Sequence, residues 1–241
     1  MIKELLQNKK LLAVILTYNG EKHIQQVIND LKKEPYISDI LVVDGESKDQ
    51  TISIAEELGA WVIVIPSRLG IGGAMEMAFL FAKTNGYDYL VRIDADGQHI
   101  PQYIVDLLVP VLKNQADIVI GSRFKNGWKS SYKPSLARFF AIRFFSLFIS
   151  RLIHQKIYDT TSGMFAVNCK IIDYLSNIEN SEYSEVVAYL VLKKAHFKIL
   201  EVPVPMNERI GSQSSFTVVK SFYYVSLGVL ALMLTKMTKN Q

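Results

Sequence analysis

"RIDADGQH", residues Arg92 to His99, decides how this chain is to be read. An apolar run leads into it and Pro101 follows it. The order is therefore strand, turn, helix, with the proline at a first helical position where a missing N–H costs nothing. Asp94 and Asp96 point to opposite sides while the chain is extended and converge once it turns through Ala95–Gly97. Two carboxylates meeting at one turn suit a hard cation such as magnesium or manganese, whose remaining positions go to water and phosphate. A calcium EF-hand opens in the same way but fails here, because His99 stands at its sixth position and Val105 at its twelfth. The plain alternative is a loop with two solvated aspartates.

Outward from this turn, short β-branched runs alternate with longer amphipathic stretches, the pattern of an α/β sheet built from crossover units. The pattern predicts strands at Leu11–Thr17, Ile40–Asp44, Trp61–Ile65, Tyr89–Asp94 and Ile118–Gly121. It predicts helices at Lys22–Lys33, Thr51–Leu58, Gly73–Thr84 and Pro101–Lys113. Polar and glycine-bearing signals follow each strand: Thr17-Tyr18-Asn19, Asp44-Gly45, Ser67 to Gly73, Asp94-Ala95-Asp96 and Gly121-Ser122-Arg123. Ligands of open α/β sheets sit at the carboxyl ends of strands, so one cleft can gather all five.

The glycine-rich "SRLGIGGAMEMAF" is no dinucleotide fingerprint, since G-x-G-x-x-G breaks at Met75. Its glycines, Gly72 among them, either permit a tight turn before a helix or let a ligand approach the backbone. Asp44 ends a strand, where an acid can accept from ribose or base groups, and Ser47 or Asp49 is placed to cap the helix that follows.

The chain has 241 residues, enough for one sizeable domain, with 49% apolar and 21% charged residues, which excludes a disordered chain. A single cysteine, Cys169, rules out an intrachain disulfide and points to a reducing compartment. The run Leu11–Leu16 is too short for a signal peptide, so the expected location is the cytoplasm. The net charge of +4 is segregated: no acid lies between Asp117 and Asp159, where eight Lys and Arg residues fall, and none follows Glu208. Within the first of these segments, "LARFFAIRFFSLFISRLIHQK" sets Arg143, Ser146, Ser150 and His154 three or four apart among apolar residues, which reads as an interfacial helix. The buried alternative has its arginines snorkelling. The tail segment "SFYYVSLGVLALMLT" is short of the about 20 residues a bilayer span needs. The chain thus divides into a catalytic domain at 1–215 and an apolar tail at 216–241 that lies on a membrane or packs against a second copy in a homo-oligomer.

Taken in order, "LTYNG", "VVDGESKDQT", "RLGIGGAMEMAF", "RIDADGQHIPQYI", "GSRFKNG", "DTTSGMFAVN" and "VPVPMNERIGSQSSF" resemble the family 2 glycosyltransferases. Among them, the set is most similar to polyprenyl-phosphate sugar synthases of the dolichol-phosphate mannose synthase type and to bacterial surface-polysaccharide glycosyltransferases. The resemblance implies a GT-A fold, that is, a Rossmann-like nucleotide-binding α/β sheet flanked by helices, here with C-terminal amphipathic or apolar helices. It also implies a nucleotide-sugar donor, Mg2+ or Mn2+, and inversion at the anomeric carbon. Asp94, Asp96 and Gln98 fall where the family holds the cation, Thr17, Tyr18 and Asp44 where it contacts base and ribose, and Arg209 where a cationic residue approaches the diphosphate. The sequence departs from the family at Glu46, where the usual second acid is displaced, at Ser67, where the family has Asn, and in lacking a C-terminal pair of spanning helices.

The acceptor stays open between two chemistries. A polyprenyl phosphate is already ionised and needs arginines to seat it, for which Arg123, Arg138 and Arg143 are the candidates. A sugar hydroxyl of a lipid-linked saccharide needs a general base, for which Glu182 and Glu185 are the candidates. The expected catalytic set is accordingly Asp96, Arg123 and Glu185, in an enzyme peripheral to the inner membrane face. A non-catalytic nucleotide-sugar-binding assembly subunit is the reading from another class, and intact Asp94, Asp96 and Arg209 speak against it. Phosphate and membrane account for the basic charge, so nucleic acid is not expected as a partner.

Overall fold

The computed structural model describes residues 2–125, 135–178 and 185–207, and of residues 137, 138 and 185–187 the backbone alone. Seven strands form one sheet: β1 (Leu11–Thr17), β2 (Asp39–Asp44), β3 (Trp61–Val64), β4 (Tyr89–Asp94), β5 (Ile118–Ser122), β6 (Phe165–Asn168) and β7 (Ile199–Pro203). The helices are α1 (Ile2–Leu6), α2 (Glu21–Lys32), α3 (Thr51–Glu57), α4 (Gly70–Thr84), α5 (Ile104–Leu112), α6 (Leu136–Leu152), α7 (Cys169–Ser176) and α8 (Glu185–Lys194).

The spatial order is β3-β2-β1-β4-β6-β5-β7. β1 runs parallel to β2 and β4, as do β2 to β3 and β5 to β7, while β6 is antiparallel to both β4 and β5. The five predicted strands form within a residue or so of their predicted ends. The two short ones, β6 and β7, carry no local periodicity that predicts them. Long-range partners make them strands: the Asp117 carboxylate accepts from Asn168 Nδ2 and from the Lys198 amide, both at 2.9 Å, tying the ends of β5, β6 and β7 together.

Alternation along the central strands explains the two cores. Leu11, Ala13 and Ile15 of β1 join Val91 and Ile93 of β4 against α2 and α5, whereas Leu12 and Val14 join Leu90 against α4, α6, α7 and α8. Strands buried on both faces read as continuous apolar runs, which is why β1 and β4 are legible in the sequence. α2 buries Ile24, Val27, Ile28 and Leu31 at helical spacing. Truncating one of the fully buried leucines, such as Leu107, would cost about 2–5 kcal/mol.

Three helix predictions are corrected in detail. α4 begins at Gly70, one turn before the predicted Gly73, and Pro101–Tyr103 forms a separate 3-10 turn ahead of α5. Along α6 and just beyond it the polar row is split, with Arg143 and His154 exposed and the two serines turned inward. Ser146 Oγ donates to the Tyr158 carbonyl at 3.0 Å and Ser150 Oγ accepts from the Ile157 amide at 2.8 Å, so both serines hold the following loop from the inward side. Among the described residues no helix is long and apolar enough to cross a membrane, and the tail at 216–241 lies outside them.

Candidate active site

Topology brings the carboxyl ends of β1, β2 and β4 side by side, with Thr17 paired to Asp44 and Leu16 to Asp94 in register. The loops beyond these ends are stitched to one another. Asn19 N donates to Ser47 Oγ at 2.7 Å, Lys48 N to Asn19 Oδ1 at 2.9 Å, and Gly20 N to Thr51 Oγ1 at 2.8 Å. Tyr18 stands out from this seam, 58% exposed, with its side chain beside Gly45.

Its two neighbours expected to contact a nucleotide differ in exposure, Thr17 half-buried and Asp44 buried. Asp44 is fully buried, its two carboxylate oxygens accepting from the amide and the hydroxyl of Ser47, each at 2.6 Å. It shapes the turn after β2. The Thr17 hydroxyl is buried against Gly20, with no partner among the described residues. Ser47 is thus spent on Asp44 and caps no helix, while Asp49 accepts from the Thr51 amide at 3.1 Å at the start of α3. Glu46, the displaced acid, accepts from the Ser67 amide at 3.0 Å, and that bond holds its carboxyl below the usual range. The two departures from the family pattern therefore touch each other and link the loop after β2 to the loop after β3.

At the end of β4, Arg92 and Asp94 lie two residues apart and so on one face of the strand. Arg92, only 2% exposed, donates to Asp94 Oδ1 from Nη2 at 3.0 Å and from Nε at 3.2 Å. The other Asp94 oxygen lies against Gly163, where a Cβ would stand 2.7 Å from it and 2.9 Å from Arg92 Nη2. Gly97, at φ +72°, turns the chain back. Asp96 Oδ1 then accepts from the Gln98 amide at 3.1 Å. His99 is buried and accepts from the Asp94 amide at Nδ1, 2.9 Å away; burial, against the pull of Asp94 and Asp96, holds its pKa below the ordinary value. A neutral ring with its proton on Nε2 is what that bond requires. The segment before Arg209 closes the turn from outside: Asn207 N donates to the Gln98 carbonyl at 3.0 Å, and His99 bridges to Met206.

The donor set at this turn is all oxygen, from two carboxylates and one amide, and fits a hard divalent cation. Asp94 is already engaged by Arg92, so Asp96 is the carboxylate best placed to hold it, with Asp94 and Gln98 beside it. Among the described residues no group of three His, Cys, Asp or Glu side chains forms a metal cluster. Behind Arg92, on the α4 side of the sheet, lies a cavity of about 110 Å³ lined by Gly72, Met75, Phe79, Phe165 and Leu192. Gly72 thus sits in the first turn of α4 on an apolar cavity wall.

The expected acceptor arginines occupy different settings. Arg123, 6% exposed, donates to Asp159 from Nε at 2.7 Å and from Nη2 at 2.8 Å, and from Nη2 to Thr161 at 2.7 Å. A guanidinium so committed anchors the loop at 157–162. Arg143 is exposed on α6. The Arg138 side chain, Glu182 and Arg209 lie outside the described residues, and Glu185 is the first residue of α8.

Two buried acids beside Arg123 escaped the sequence reading. Asp159 opens the "DTTSGM" motif and could have been matched to Arg123 by charge. Glu201 of β7 gave no local signal; it is 4% exposed and accepts from the amides of Tyr158 and Asp159 at 2.8 and 2.9 Å. Burial pushes its carboxyl up to about 7. Burial alone would also raise Asp159, but the Arg123 guanidinium overrides it and holds that carboxyl below the usual range.

Residues 12–175 match the model of Glycosyl transferase family 2. The chain is 32% identical to the undecaprenyl-phosphate mannosyltransferase of Micrococcus luteus over 83% of this chain and 84% of that one. It is 30% identical to the UDP-N-acetylglucosamine–dolichyl-phosphate N-acetylglucosaminyltransferase of Methanococcus voltae over 82% and 85%. In fold it is similar to the mannosyl-3-phosphoglycerate synthase of Rubrobacter xylanophilus, with a TM-score of 0.73, 23% identity, and coverage of 99% of this chain and 78% of that one. It is likewise similar to the glucosyl-3-phosphoglycerate synthase of Mycobacterium tuberculosis crystallised with Mn2+ and UDP, with a TM-score of 0.68, 18% identity, and coverage of 96% and 81%. A sheet in this order, with its acidic turn at the end of β4, and relatives matched over most of their length make this chain a glycosyltransferase of family 2 with the GT-A fold.

Proposed function

We propose that this enzyme transfers a sugar, with inversion, from a nucleotide-sugar donor to a polyprenyl phosphate at the cytoplasmic face of a membrane. The observation that carries the reading is the Asp94-Ala95-Asp96 turn set beside the exposed ring of Tyr18, at the shared edge of β1, β2 and β4. Two relatives named for lipid-phosphate acceptors support the choice of acceptor.

In this mechanism the Tyr18 ring offers a flat face to the nucleotide base, and the stitched loops around Asn19, Ser47 and Thr51 keep that face in place. Asp96, with Asp94 and Gln98, would hold Mg2+ or Mn2+, which when bound offsets the charge growing on the departing diphosphate. Arg209 adds positive charge to the same end of the donor. Arg92 and Gly163 keep Asp94 in one rotamer, and His99 fixes the turn through the Asp94 amide. The acceptor phosphate is ionised near neutral pH, so its oxygen attacks the anomeric carbon without a base. Arg138 and Arg143 are the cations left to seat it, while Arg123 acts through Asp159 on the loop between α6 and β6.

The test is release of nucleoside diphosphate from a panel of nucleotide sugars, with and without Mn2+ or Mg2+ and a short-chain polyprenyl phosphate. Release that needs both metal and lipid phosphate is the expected result. Donor binding without lipid-stimulated release would overturn the lipid-phosphate acceptor and favour a saccharide hydroxyl. In that case Glu185, at the start of α8, becomes the base, and Glu185→Gln should abolish turnover.

A further inference from the structure

Arg92 stands inside the acidic turn as a third charge. It shares a face of β4 with Asp94, and two of its donors, Nη2 at 3.0 Å and Nε at 3.2 Å, converge on Asp94 Oδ1. Phe165, its partner in register on β6, lies 5.9 Å from the guanidinium, and Gly163 packs against Nη2. The Arg92 side chain is 3% exposed and that of Asp94 26%. The positive charge is thus shut away from water, while the carboxylate that it holds is still partly open to solvent. The next guanidinium, Arg123, is offset by Asp159. Asp94 and Asp96 together with Arg92 therefore carry one net negative charge rather than two.

We infer that Arg92 is a built-in counter-ion that makes the divalent cation enter the turn together with the donor diphosphate rather than ahead of it. This role rests on the glycosyltransferase reading with its cation at Asp94, Asp96 and Gln98, and adds to the holding of the Asp94 rotamer a control over the order of binding. The affinity of a site for a hard cation follows the charge of the ligands around it. A bare cation meets here a single net negative charge and a buried guanidinium that repels it, in surroundings where Coulomb terms weigh more than in water. A cation that carries the phosphate charges of a nucleotide sugar is close to neutral as a unit, so the pull of Arg92 on phosphate and its push on metal largely cancel. Arg92 therefore weakens binding of the cation alone more than binding of the cation–diphosphate unit. By linkage, the same guanidinium raises the factor by which metal and nucleotide tighten each other. An arginine suits the task because it keeps its charge even when buried.

In the experiment, Mn2+ is titrated into the full chain and the free ion followed by electron paramagnetic resonance, and UDP and GDP are titrated by calorimetry in Mn2+ and in EDTA. Wild type, Arg92→Gln and Arg92→Lys are compared, each after a check of its unfolding midpoint. The expected result for the wild type is weak binding of Mn2+ alone and nucleotide binding that Mn2+ tightens by about tenfold to 100-fold. Arg92→Gln, which removes the charge and keeps an amide donor, should bind Mn2+ alone about tenfold or more tightly than the wild type, and the tightening of nucleotide by Mn2+ should shrink by a like factor. Arg92→Lys, which keeps the charge, should follow the wild type. Tight binding of Mn2+ by the wild type without nucleotide would overturn the inference even if no variant folds. Binding of Mn2+ that is unchanged or weaker in Arg92→Gln would also overturn it, since a residue that only holds Asp94 in place gives that result. Both outcomes leave the cation at the turn standing. Failure of the wild type to bind Mn2+ with either nucleotide would instead overturn the cation reading, and this role with it.

Discussion

The guanidinium of Arg123, at the end of β5, and the carboxylate of Asp159 form a buried two-point ion pair, with Nε to Oδ2 at 2.7 Å and Nη2 to Oδ1 at 2.8 Å. The Asp159 carboxylate also accepts from the Arg123 amide at 3.1 Å. This pair joins the sheet to the loop that leads into β6 and so to Gly163 and Asp94. Removing one partner leaves a charge buried without its complement, which costs about 3–5 kcal/mol. Asp159→Asn should lower stability by that order in urea unfolding. Arg123→Lys should not preserve it, because an ammonium cannot reproduce the two-point contact.

Glu201 makes stability depend on pH. Its carboxyl titrates at about 7 in the folded chain against an ordinary 4.5, so the folded state keeps a proton that the unfolded state has released. Stability from this group is full below about pH 4.5 and is lost as pH rises through about 7, by up to about 3 kcal/mol. Urea unfolding of the wild type should therefore weaken between about pH 5 and about pH 8 by more than that of Glu201→Gln. The variant should be less stable at low pH, since its Nε2 donors face one of the Tyr158 and Asp159 amides, but flatter across the window. Equal pH slopes in the two proteins would refute the assignment.

Gly163 is the point at which the loop touches the acidic turn. Gly163→Ala places a methyl 2.7 Å from an Asp94 oxygen and 2.9 Å from Arg92 Nη2, so the Arg92–Asp94 pair must shift to make room. The expected outcome is a loss of nucleoside diphosphate release of tenfold or more with a modest change in unfolding midpoint, about 1–3 kcal/mol. Retained turnover would show that the Arg92–Asp94 geometry is not needed for catalysis.

Tyr18 is exposed, whereas Thr17 is half-buried and Asp44 is buried. If its ring carries the base, Tyr18→Ala should weaken donor binding by about 1–3 kcal/mol, while Tyr18→Phe keeps affinity. Calorimetric titration with the nucleoside diphosphate reads both. A loss in the Phe variant equal to that in the Ala variant would assign the contact to the hydroxyl instead.

Much of this site was legible because local chemistry announced it. "RIDADGQH" marks strand, turn and acids within eight residues, and the loop signals after β1, β2 and β4 place those ends at one edge. Which of the marked residues a ligand can reach was not legible. Asp44 looks like a ribose contact in sequence and accepts from Ser47 in three dimensions; Arg123 looks like a phosphate seat and is paired with Asp159. Glu46 and Ser67, each a departure from the family pattern, make sense only as a bonded pair.

The sequence by itself determined the alternation of strands and helices, the acidic turn, the family, and the acid-free cationic segment, because each is written in residues close together in the chain. Tertiary structure alone decided the placement of β6 between β4 and β5, the partners of Arg92, Arg123 and Glu201, and the outward turn of the Phe140 and Phe144 side chains. Those outcomes depend on contacts between residues tens of positions apart, and burial, which sets both the cost of a charge and the reach of a side chain, exists only once those contacts have formed.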